Sequence, residues 1–230
     1  MPSRYTGRRA AGTALRLVAA AAAMVGFFTL VGLLITHVLV HSQLERADGQ
    51  ADVVLARDRT PTWNTVTHYA TLLAETRTVV AVGLVVVLFL GLVLRRWREA
   101  GFVAVALVGE VAIFVTITLL VHRHRPPVPH LDAAPPTSSF PSGHTAAAVA
   151  LYGGLALVTW RCARRTAVRV LALLAGVAAP LAVAVSRVYR GMHFPSDVIA
   201  GALIATGWLA VLVPVLLQGS SRGRRRLVTR

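Results

Sequence analysis

The chain has 230 residues, of which 56% are hydrophobic, and its mean hydropathy is +0.66. This composition excludes an ordinary soluble domain and indicates a membrane protein, and the length fits one domain over residues 1–230. The formal net charge of +15 comes entirely from arginine, because the sequence contains no lysine.

Apolar stretches recur along the chain and predict six membrane-spanning helices, called spans one to six: 17–40, 79–94, 102–121, 145–160, 167–185 and 198–217. Crossing a hydrocarbon core of about 30 Å takes about 20 helical residues, so the two shortest stretches must extend into their flanks. The first stretch exceeds the apolar core of about 7 to 15 residues in a signal peptide, so we expect a retained helix. The predicted fold class is therefore all-α, a polytopic membrane protein.

The arginines alternate with the spans. Sixteen of the 24 lie on one predicted side of the membrane, at 4–16, 95–98, 161–169 and 222–230. The positive-inside rule places that side in the cytoplasm, with both termini, and predicts a multi-pass protein of the plasma membrane. Three segments then face outward: 41–78, 122–144 and 186–197. The charge thus indicates topology, and it gives no support to nucleic-acid binding.

The outward segments differ in composition. Segment 41–78 is predicted as an outer loop that mixes both charges, and its stretch HYATLLAETR at 68–77 predicts an amphipathic helix on the membrane surface. Segment 122–144 holds six of the eleven prolines and predicts an irregular, turn-rich loop. Within span three, Glu110 lies where a charge is costly, and a neutral or helix-linking role is favoured over catalysis.

Three short motifs meet at the outward ends of the spans. Arg125-Pro126 follows span three, PSGH at 141–144 precedes span four, and Ser186-Arg187-x5-His193-x3-Asp197 follows span five. In these motifs the chain resembles the type-2 phosphatidic acid phosphatase superfamily, which includes lipid phosphate phosphatases and vanadium haloperoxidases. Its signature is Lys-x6-Arg-Pro, Pro-Ser-Gly-His and Ser-Arg-x5-His-x3-Asp, and the second and third motifs match completely. The resemblance covers about 79–217 and implies the helical bundle of that superfamily.

The same residue types suit the chemistry of a phosphate ester. Two guanidinium groups, Arg125 and Arg187, can bind phosphate oxygens in bidentate fashion. Backbone N–H groups at the predicted N-terminus of span four, near Ser142 and Gly143, form a ready anion site. His144 beside them can exchange protons, which suits a general acid for the leaving oxygen.

A nucleophile completes this hypothesis. An imidazole whose second nitrogen is held by a carboxylate is an activated nucleophile, and His193 and Asp197 have suitable types and spacing. The resemblance implies that His193 attacks phosphorus to give a phosphohistidine, that Asp197 orients it, and that the phosphate oxygens are held by Arg125, Ser142, Gly143 and Arg187. It also implies that no metal or other cofactor takes part. The implied substrate is a lipid phosphate or diphosphate of the bilayer: phosphatidate, phosphatidylglycerol phosphate or a polyprenyl diphosphate.

One position departs from the superfamily signature. Seven residues before Arg125 the signature has lysine, whereas this chain has Thr118. On a continuing helix, positions 118, 122 and 125 would share a face. We therefore expect one cation of the site to be absent, or partly replaced by His122 or Arg123.

Two other functions compete with a phosphatase. A vanadate-dependent haloperoxidase would use the same anion pocket, but six spans and the absent lysine disfavour it. A non-catalytic protein for lipid binding or transport would have a degenerate site, which only Thr118 favours. The histidines at 122, 124 and 130 with Asp132 suggest a metal site, but the absence of a nearby cysteine disfavours it. The sequence does not indicate an oligomeric state.

Overall fold

The computed structural model describes residues 3–40 and 42–217. Within that part of the chain the regular structure is helical, and no β-strand occurs. The arginines at 222–230, which contribute to the predicted topology, lie outside the described residues. The helices are α1 (Ser3–Leu33), α2 (Gln43–Arg57), α3 (Pro61–Leu72), α4 (Thr76–Leu88), α5 (Trp97–Leu120), α6 (Gly143–Ala148), α7 (Gly154–Cys162), α8 (Thr166–Tyr189) and α9 (Pro195–Leu212).

Four of these helices continue through one π-helical turn, at Leu34–Val38, Phe89–Val93, Val149–Gly153 and Val213–Leu217. The third of these turns joins α6 to α7, so the two form a single span. Six segments are long and apolar enough to cross a membrane: Ala11–Val38, Thr76–Val93, Trp97–Leu120, Gly143–Cys162, Thr166–Tyr189 and Pro195–Leu217. The prediction of six spans is confirmed, and the two shortest stretches do extend into their flanks.

Helix α5 lies at the centre of the bundle. Its buried residues include Phe102, Ala106, Glu110, Ile113 and Ile117, which recur at three- and four-residue intervals and therefore share one face. Helix α5 packs against α1, α4 and α9. The shared end of the bundle, where spans three and five end and spans four and six begin, then brings the three motifs together.

Segment 41–78 is more ordered than the sequence predicts. It forms two helices, α2 and α3, which begin after Ser42 and Thr60; each of these hydroxyls accepts a hydrogen bond from the backbone three residues on. The prediction of one amphipathic helix over 68–77 is wrong, because a turn at 73–75 separates α3 from α4. Helix α3 packs against α8, and the Ser186 hydroxyl donates to the Thr67 carbonyl oxygen at 2.7 Å.

Helix α5 ends at Leu120, because Val121 has extended backbone angles. The chain from 121 to 142 is irregular, as its prolines predict. Positions 118, 122 and 125 therefore do not lie on one continuing helix, and that geometric premise is wrong. After α8, Gly191 has a φ of +73°, which a residue with a Cβ adopts only with strain, and this turn leads the chain to His193.

Candidate active site

A cavity of about 750 Å³ lies at the end of the bundle where the motifs meet. Its polar end is formed by two arginines and two histidines: Arg125, His144, Arg187 and His193. The rest of its wall is largely apolar and comes mainly from α4 and α5, including Val80, Val111 and Leu119. These three side chains are exposed although they line the cavity, so the cavity is open to the surface of the bundle between spans two and three.

His193 lies at the polar end of the cavity and is almost fully buried. Its Nδ1 is 2.7 Å from the carbonyl oxygen of Ser139. A carbonyl oxygen only accepts, so Nδ1 carries the proton of the neutral ring and Nε2 holds the lone pair. Burial lowers the pKa of His193 below its ordinary value, although the nearby Asp197 acts in the opposite direction. This imidazole is therefore uncharged at neutral pH, with the lone pair on Nε2.

Asp197 lies behind His193 and does not line the cavity. Its Oδ2 accepts from the Phe194 backbone N–H at 3.0 Å and is 3.8 Å from His193 Nδ1. Its Oδ1 accepts from Arg123 at 2.5 Å. The spacing predicts a direct hydrogen bond between Asp197 and His193, but this structure does not form it. The His193 Nδ1–H donates to the carbonyl oxygen of Ser139 instead. Asp197 acts on the imidazole through its charge at close range.

Each of the two cavity arginines is held by hydrogen bonds but keeps one nitrogen without a partner. Arg125 donates through Nη1 to the Met192 carbonyl oxygen at 2.7 Å and through Nη2 to the Thr137 hydroxyl at 3.4 Å. Arg187 donates through Nη1 to the Thr71 hydroxyl at 2.9 Å. The Nε of each guanidinium is buried and has no hydrogen-bond partner among the described residues. Burial lowers the pKa of Arg125, yet a guanidinium remains protonated at neutral pH. Both groups therefore retain a donor for an anion, and Arg125, which is held by neutral acceptors, also retains its full charge.

Asp132 also contacts Arg187, at 2.9 Å, and it binds Arg190 at 2.6 Å. Burial alone would raise the pKa of Asp132, but hydrogen bonds from Arg190 and the charge of Arg187 lower it below its usual range. Asp132 also lines the cavity, and its carboxylate takes up one of the donors with which Arg187 could bind an anion.

The PSGH motif is divided between the cavity and the interior. Gly143 and His144 line the cavity, whereas Ser142 does not. The Ser142 backbone N–H donates to the Asp197 carbonyl oxygen at 3.0 Å, and its hydroxyl pairs with Thr145 at 3.0 Å. Ser142 therefore does not line the cavity in this structure and its backbone N–H already has a partner, so its role as a phosphate contact stays a prediction. Its carbonyl lies against Gly201 of α9, where a Cβ would overlap it.

The three auxiliary candidates occupy different places. Thr118 lines the cavity, and its buried hydroxyl has no partner among the described residues. His122 is exposed and does not line the cavity, because α5 ends before it. Arg123 is buried behind the site, in ion pairs with Asp48 and Asp197. The hypothesis that His122 or Arg123 replaces the absent lysine at the phosphate is therefore wrong in its geometry.

Glu110 also lines the cavity, about two helical turns below Thr118 on α5. Its Oε1 is buried and has no partner among the described residues, so it forms no link between helices through that oxygen. The histidines at 122, 124 and 130 do not gather around Asp132. Among the described residues, no group of three or more His, Cys, Asp and Glu could hold a metal ion.

Sequence reasoning missed three groups at this site. Ser139 binds the nucleophile candidate, Asp132 binds Arg187, and Asp48 binds Arg123. Ser139 and Asp132 lie in the proline-rich segment, where no periodic pattern indicates which side chain points inward. Asp48 and Asp52 lie four residues apart in segment 41–78, and that interval was the one available signal for a shared buried face.

The geometry defines a class of protein: a helical membrane protein with a cavity lined at one end by two arginines and two histidines. A family model, the PAP2 superfamily, matches residues 99–219. The match covers more than half of the chain and includes all three motifs. The chain therefore belongs to the PAP2 superfamily.

Two known proteins are similar to this chain. An undecaprenyl-diphosphatase of Sulfolobus acidocaldarius is 32% identical over 127 residues, which are 53% of this chain and 57% of that protein. The chain thus spans little more than half the length of this curated relative. A crystal structure of a PAP2-type phosphatidylglycerolphosphate phosphatase from Bacillus subtilis matches with a TM-score of 0.68 and 18% identity. It covers 91% of this chain and 98% of its own, and it supports the fold.

Proposed function

We propose that the protein is a phosphatase that hydrolyses a lipid phosphate or diphosphate through a phosphohistidine. One observation carries the proposal: two histidines, and two arginines that each keep a free donor, converge at the polar end of a cavity whose remaining wall is largely apolar. A phosphate group matches the polar end, and the first part of a lipid chain matches the apolar wall. Membership of the PAP2 superfamily supports the same reaction class.

In the first step, Arg125 and Arg187 bind the phosphoryl oxygens and neutralise their charge. The lone pair on His193 Nε2 attacks phosphorus, and the bond from phosphorus to the lipid oxygen breaks. His144 donates a proton to that leaving oxygen, so the lipid departs as an alcohol or a monophosphate. Asp197 stabilises the positive charge that develops on the His193 ring.

In the second step, a water molecule attacks the phosphorus of the phosphohistidine. His144, now unprotonated, takes a proton from that water, and the phosphorus–nitrogen bond breaks. His193 regains its neutral state with the lone pair on Nε2, and inorganic phosphate leaves. The steps use side chains and water alone, so we expect turnover to persist in the presence of a chelator.

The position of the cavity favours a lipid over a soluble ester. Part of its wall comes from side chains that are exposed towards the membrane between spans two and three. A lipid can enter there laterally and keep its chain in the bilayer while its headgroup reaches the arginines. The polar end recognises phosphate and does not distinguish phosphatidate, phosphatidylglycerol phosphate and a polyprenyl diphosphate.

The test is a panel of these three lipids presented to the purified protein in detergent, with released phosphate as the measurement. We expect turnover of at least one lipid, undiminished by EDTA, and none by His193→Ala, because no other group supplies a nucleophile. Folding of that variant is checked by its elution volume and thermal melting. Turnover by His193→Ala at more than a small fraction of wild type would refute the phosphohistidine. Halide oxidation with vanadate, without phosphate release, would instead favour a haloperoxidase.

We further propose that the site faces away from the cytoplasm in the plasma membrane. It lies at the end of the bundle opposite the arginine-rich loops at 95–98 and 161–169. In a Cys162→Ala background, which removes the only cysteine, Ala134→Cys should react with an impermeant thiol reagent in intact cells. Arg164→Cys should not react until the cells are opened. Both positions are exposed, so the reverse pattern would overturn the orientation.

A further inference from the structure

Helix α2 directs two carboxylates towards the back of the active site. Asp48 and Asp52 lie four residues apart on one face of this helix and are 3% and 1% exposed. The helix packs against α8 and α9. It lies outside the candidate spans and outside residues 99–219. A buried carboxylate is costly without partners, so the partners of Asp48 indicate what the helix does there.

Asp48 binds two groups that belong to the site. Its Oδ2 accepts from Arg123 Nη2 at 2.9 Å. Its Oδ1 accepts from the Ser196 backbone N–H at 3.1 Å, and the Ser196 hydroxyl also donates to Oδ2. Ser196 is in the first turn of α9, directly before Asp197. Asp48 therefore attaches α2 both to Arg123 and to the helix end that carries Asp197.

Arg123 connects the two carboxylates. Its Nη1 donates to Asp197 at 2.5 Å and to the Ser196 hydroxyl at 2.7 Å, and its guanidinium lies 4.2 Å from the centre of the Phe194 ring. It is 7% exposed and does not line the cavity, so it does not reach the phosphate. Its charge is shared between Asp48 and Asp197, while Asp197 in turn acts on His193.

We propose that Asp48 is a positioning residue for catalysis, which holds Arg123 and thereby sets how much of the Asp197 charge acts on His193. The proposal rests on the proposed function, in which His193 is the nucleophile. Without Asp48, Arg123 would neutralise Asp197 more completely and the imidazolium of His193 would lose support. Without Arg123, Asp197 would act on His193 with its full charge.

The charged and titratable groups around His193 and Asp197 come from five parts of the chain: Asp48 and Asp52 of α2, Arg123 and Arg125 of the irregular segment, His144 of α6, Arg187 of α8, and Asp197 itself. Of these, Asp52 titrates in the working range: burial, and then repulsion by Asp48 and Asp197, raise its pKa to about 7. The profiles below are therefore also measured in an Asp52→Asn background, where that titration is absent.

The experiment follows kcat and kcat/KM against pH for hydrolysis of nitrophenyl phosphate by the full-length protein. The variants are Asp48→Asn, Arg123→Met, the double variant, and Asp58→Asn as the matched control, which changes an exposed aspartate at the end of the same helix. Activity should fall at low pH because His193 must be unprotonated to attack, and this fall is the acid limb of the pH profile. Burial lowers the pKa of His193, so in wild type the midpoint of the acid limb should lie below the ordinary imidazole pKa of about 6.5.

We expect Asp48→Asn to move the acid limb to lower pH. We also expect it to lower kcat by about tenfold or more, the loss that is typical when a partner that orients a metal-bound histidine is removed. Arg123→Met should move the limb to higher pH, because Asp197 then stabilises the protonated ring. The double variant should return the limb close to wild type, since one charge of each sign is lost. A purely structural role would reduce the folded fraction and leave the limb unmoved.

Equal kcat and equal acid limbs for Asp48→Asn and Asp58→Asn would overturn the proposal. If Arg123→Met does not yield folded protein, the comparison of Asp48→Asn with Asp58→Asn still decides whether Asp48 positions the catalytic groups. The proposed function fails separately: turnover by His193→Ala refutes it whatever Asp48 does. An inactive His193→Ala with a normal Asp48→Asn refutes the positioning role alone.

Discussion

Arg123 and Arg125 are two residues apart in the sequence, yet they belong to opposite sides of the site. Arg123 faces two carboxylates, at 2.9 Å from Asp48 and 2.5 Å from Asp197. Arg125 binds a neutral carbonyl oxygen and keeps its Nε free of any partner among the described residues. A guanidinium already neutralised by carboxylates stabilises structure and local charge, whereas one held by neutral acceptors retains charge for a ligand.

The comparison extends to the whole site. The cavity side contains His193, His144, Arg125 and Arg187, and it presents donors and lone pairs that the protein leaves unused. The interior side contains Asp48, Arg123, Ser196 and Asp197, whose hydrogen bonds are mutual. Substitutions on the cavity side should therefore alter binding and chemistry directly. Those on the interior side should act through His193.

The largest expected effect on the cavity side, after loss of His193, is that of His144→Ala. A general acid contributes about 10²- to 10⁴-fold, and it matters most when the leaving oxygen is basic. Hydrolysis of an alkyl phosphate should therefore fall far more than hydrolysis of nitrophenyl phosphate. His124→Ala, an exposed histidine outside the cavity wall, is the control. Equal losses on the two esters would show that His144 is not the acid.

Vanadate inhibition of Arg125→Met and Arg123→Met tests whether the two arginines belong to different sides of the site. A charge-assisted hydrogen bond is worth about 1.5 to 3 kcal/mol, so Arg125→Met should weaken inhibition by vanadate by about ten- to a hundredfold. Arg123→Met should change the inhibition constant much less, because Arg123 does not line the cavity. Thermal melting of both variants checks folding. The assignment of the two sides is wrong if both variants weaken vanadate alike.

Thr118→Lys should add a cation to the cavity side. The Thr118 hydroxyl lies buried on the wall without a partner in the described part of the chain, so a lysine there can direct its ammonium at the phosphate. We expect vanadate inhibition to tighten by about tenfold. Thr118→Met, which fills similar space without charge, is the control, and equal effects of both would exclude a charge contact.

His122→Ala tests whether the cation is supplied from elsewhere. The exposed position of His122, outside the cavity wall, predicts unchanged vanadate inhibition at every pH. A wild-type gain in inhibition at low pH that His122→Ala removes would instead mean that the segment after α5 moves to bring this histidine to the phosphate.

Among the substitutions expected to change vanadate inhibition, Asp132→Asn should have the smallest effect. Asp132 takes up one donor of Arg187, and a partly exposed ion pair is worth about 0.2 to 1 kcal/mol. Its loss should therefore tighten vanadate inhibition by up to about fivefold. Because the Arg190 and Arg187 contacts lower its pKa, Asp132 is charged throughout the neutral range. The gain should therefore be constant from about pH 5 to 8 and absent in Asp58→Asn. Weaker inhibition would mean that Asp132 positions Arg187 instead of competing for it.

Much of this protein follows from local sequence. Twenty-residue apolar stretches determine the six spans, because a helix satisfies its own backbone in lipid. The prolines after Val121 predict the irregular segment, and motif positions at span ends predict that Arg125, His144, Arg187 and His193 converge. These inferences succeed because hydropathy, helix period and backbone restriction act over a few residues.

The tertiary structure alone decided which donors are used and which remain free. Ser142 belongs to a motif, but its backbone N–H donates to the Asp197 carbonyl oxygen. Arg123 lies beside a motif, yet it pairs with Asp48, which is 75 residues away in the chain. The partner of His193 is a backbone carbonyl in an irregular loop. Such pairings depend on where α2 and that loop dock, and docking is a balance of packing and desolvation over the whole bundle. No short stretch of sequence contains that balance.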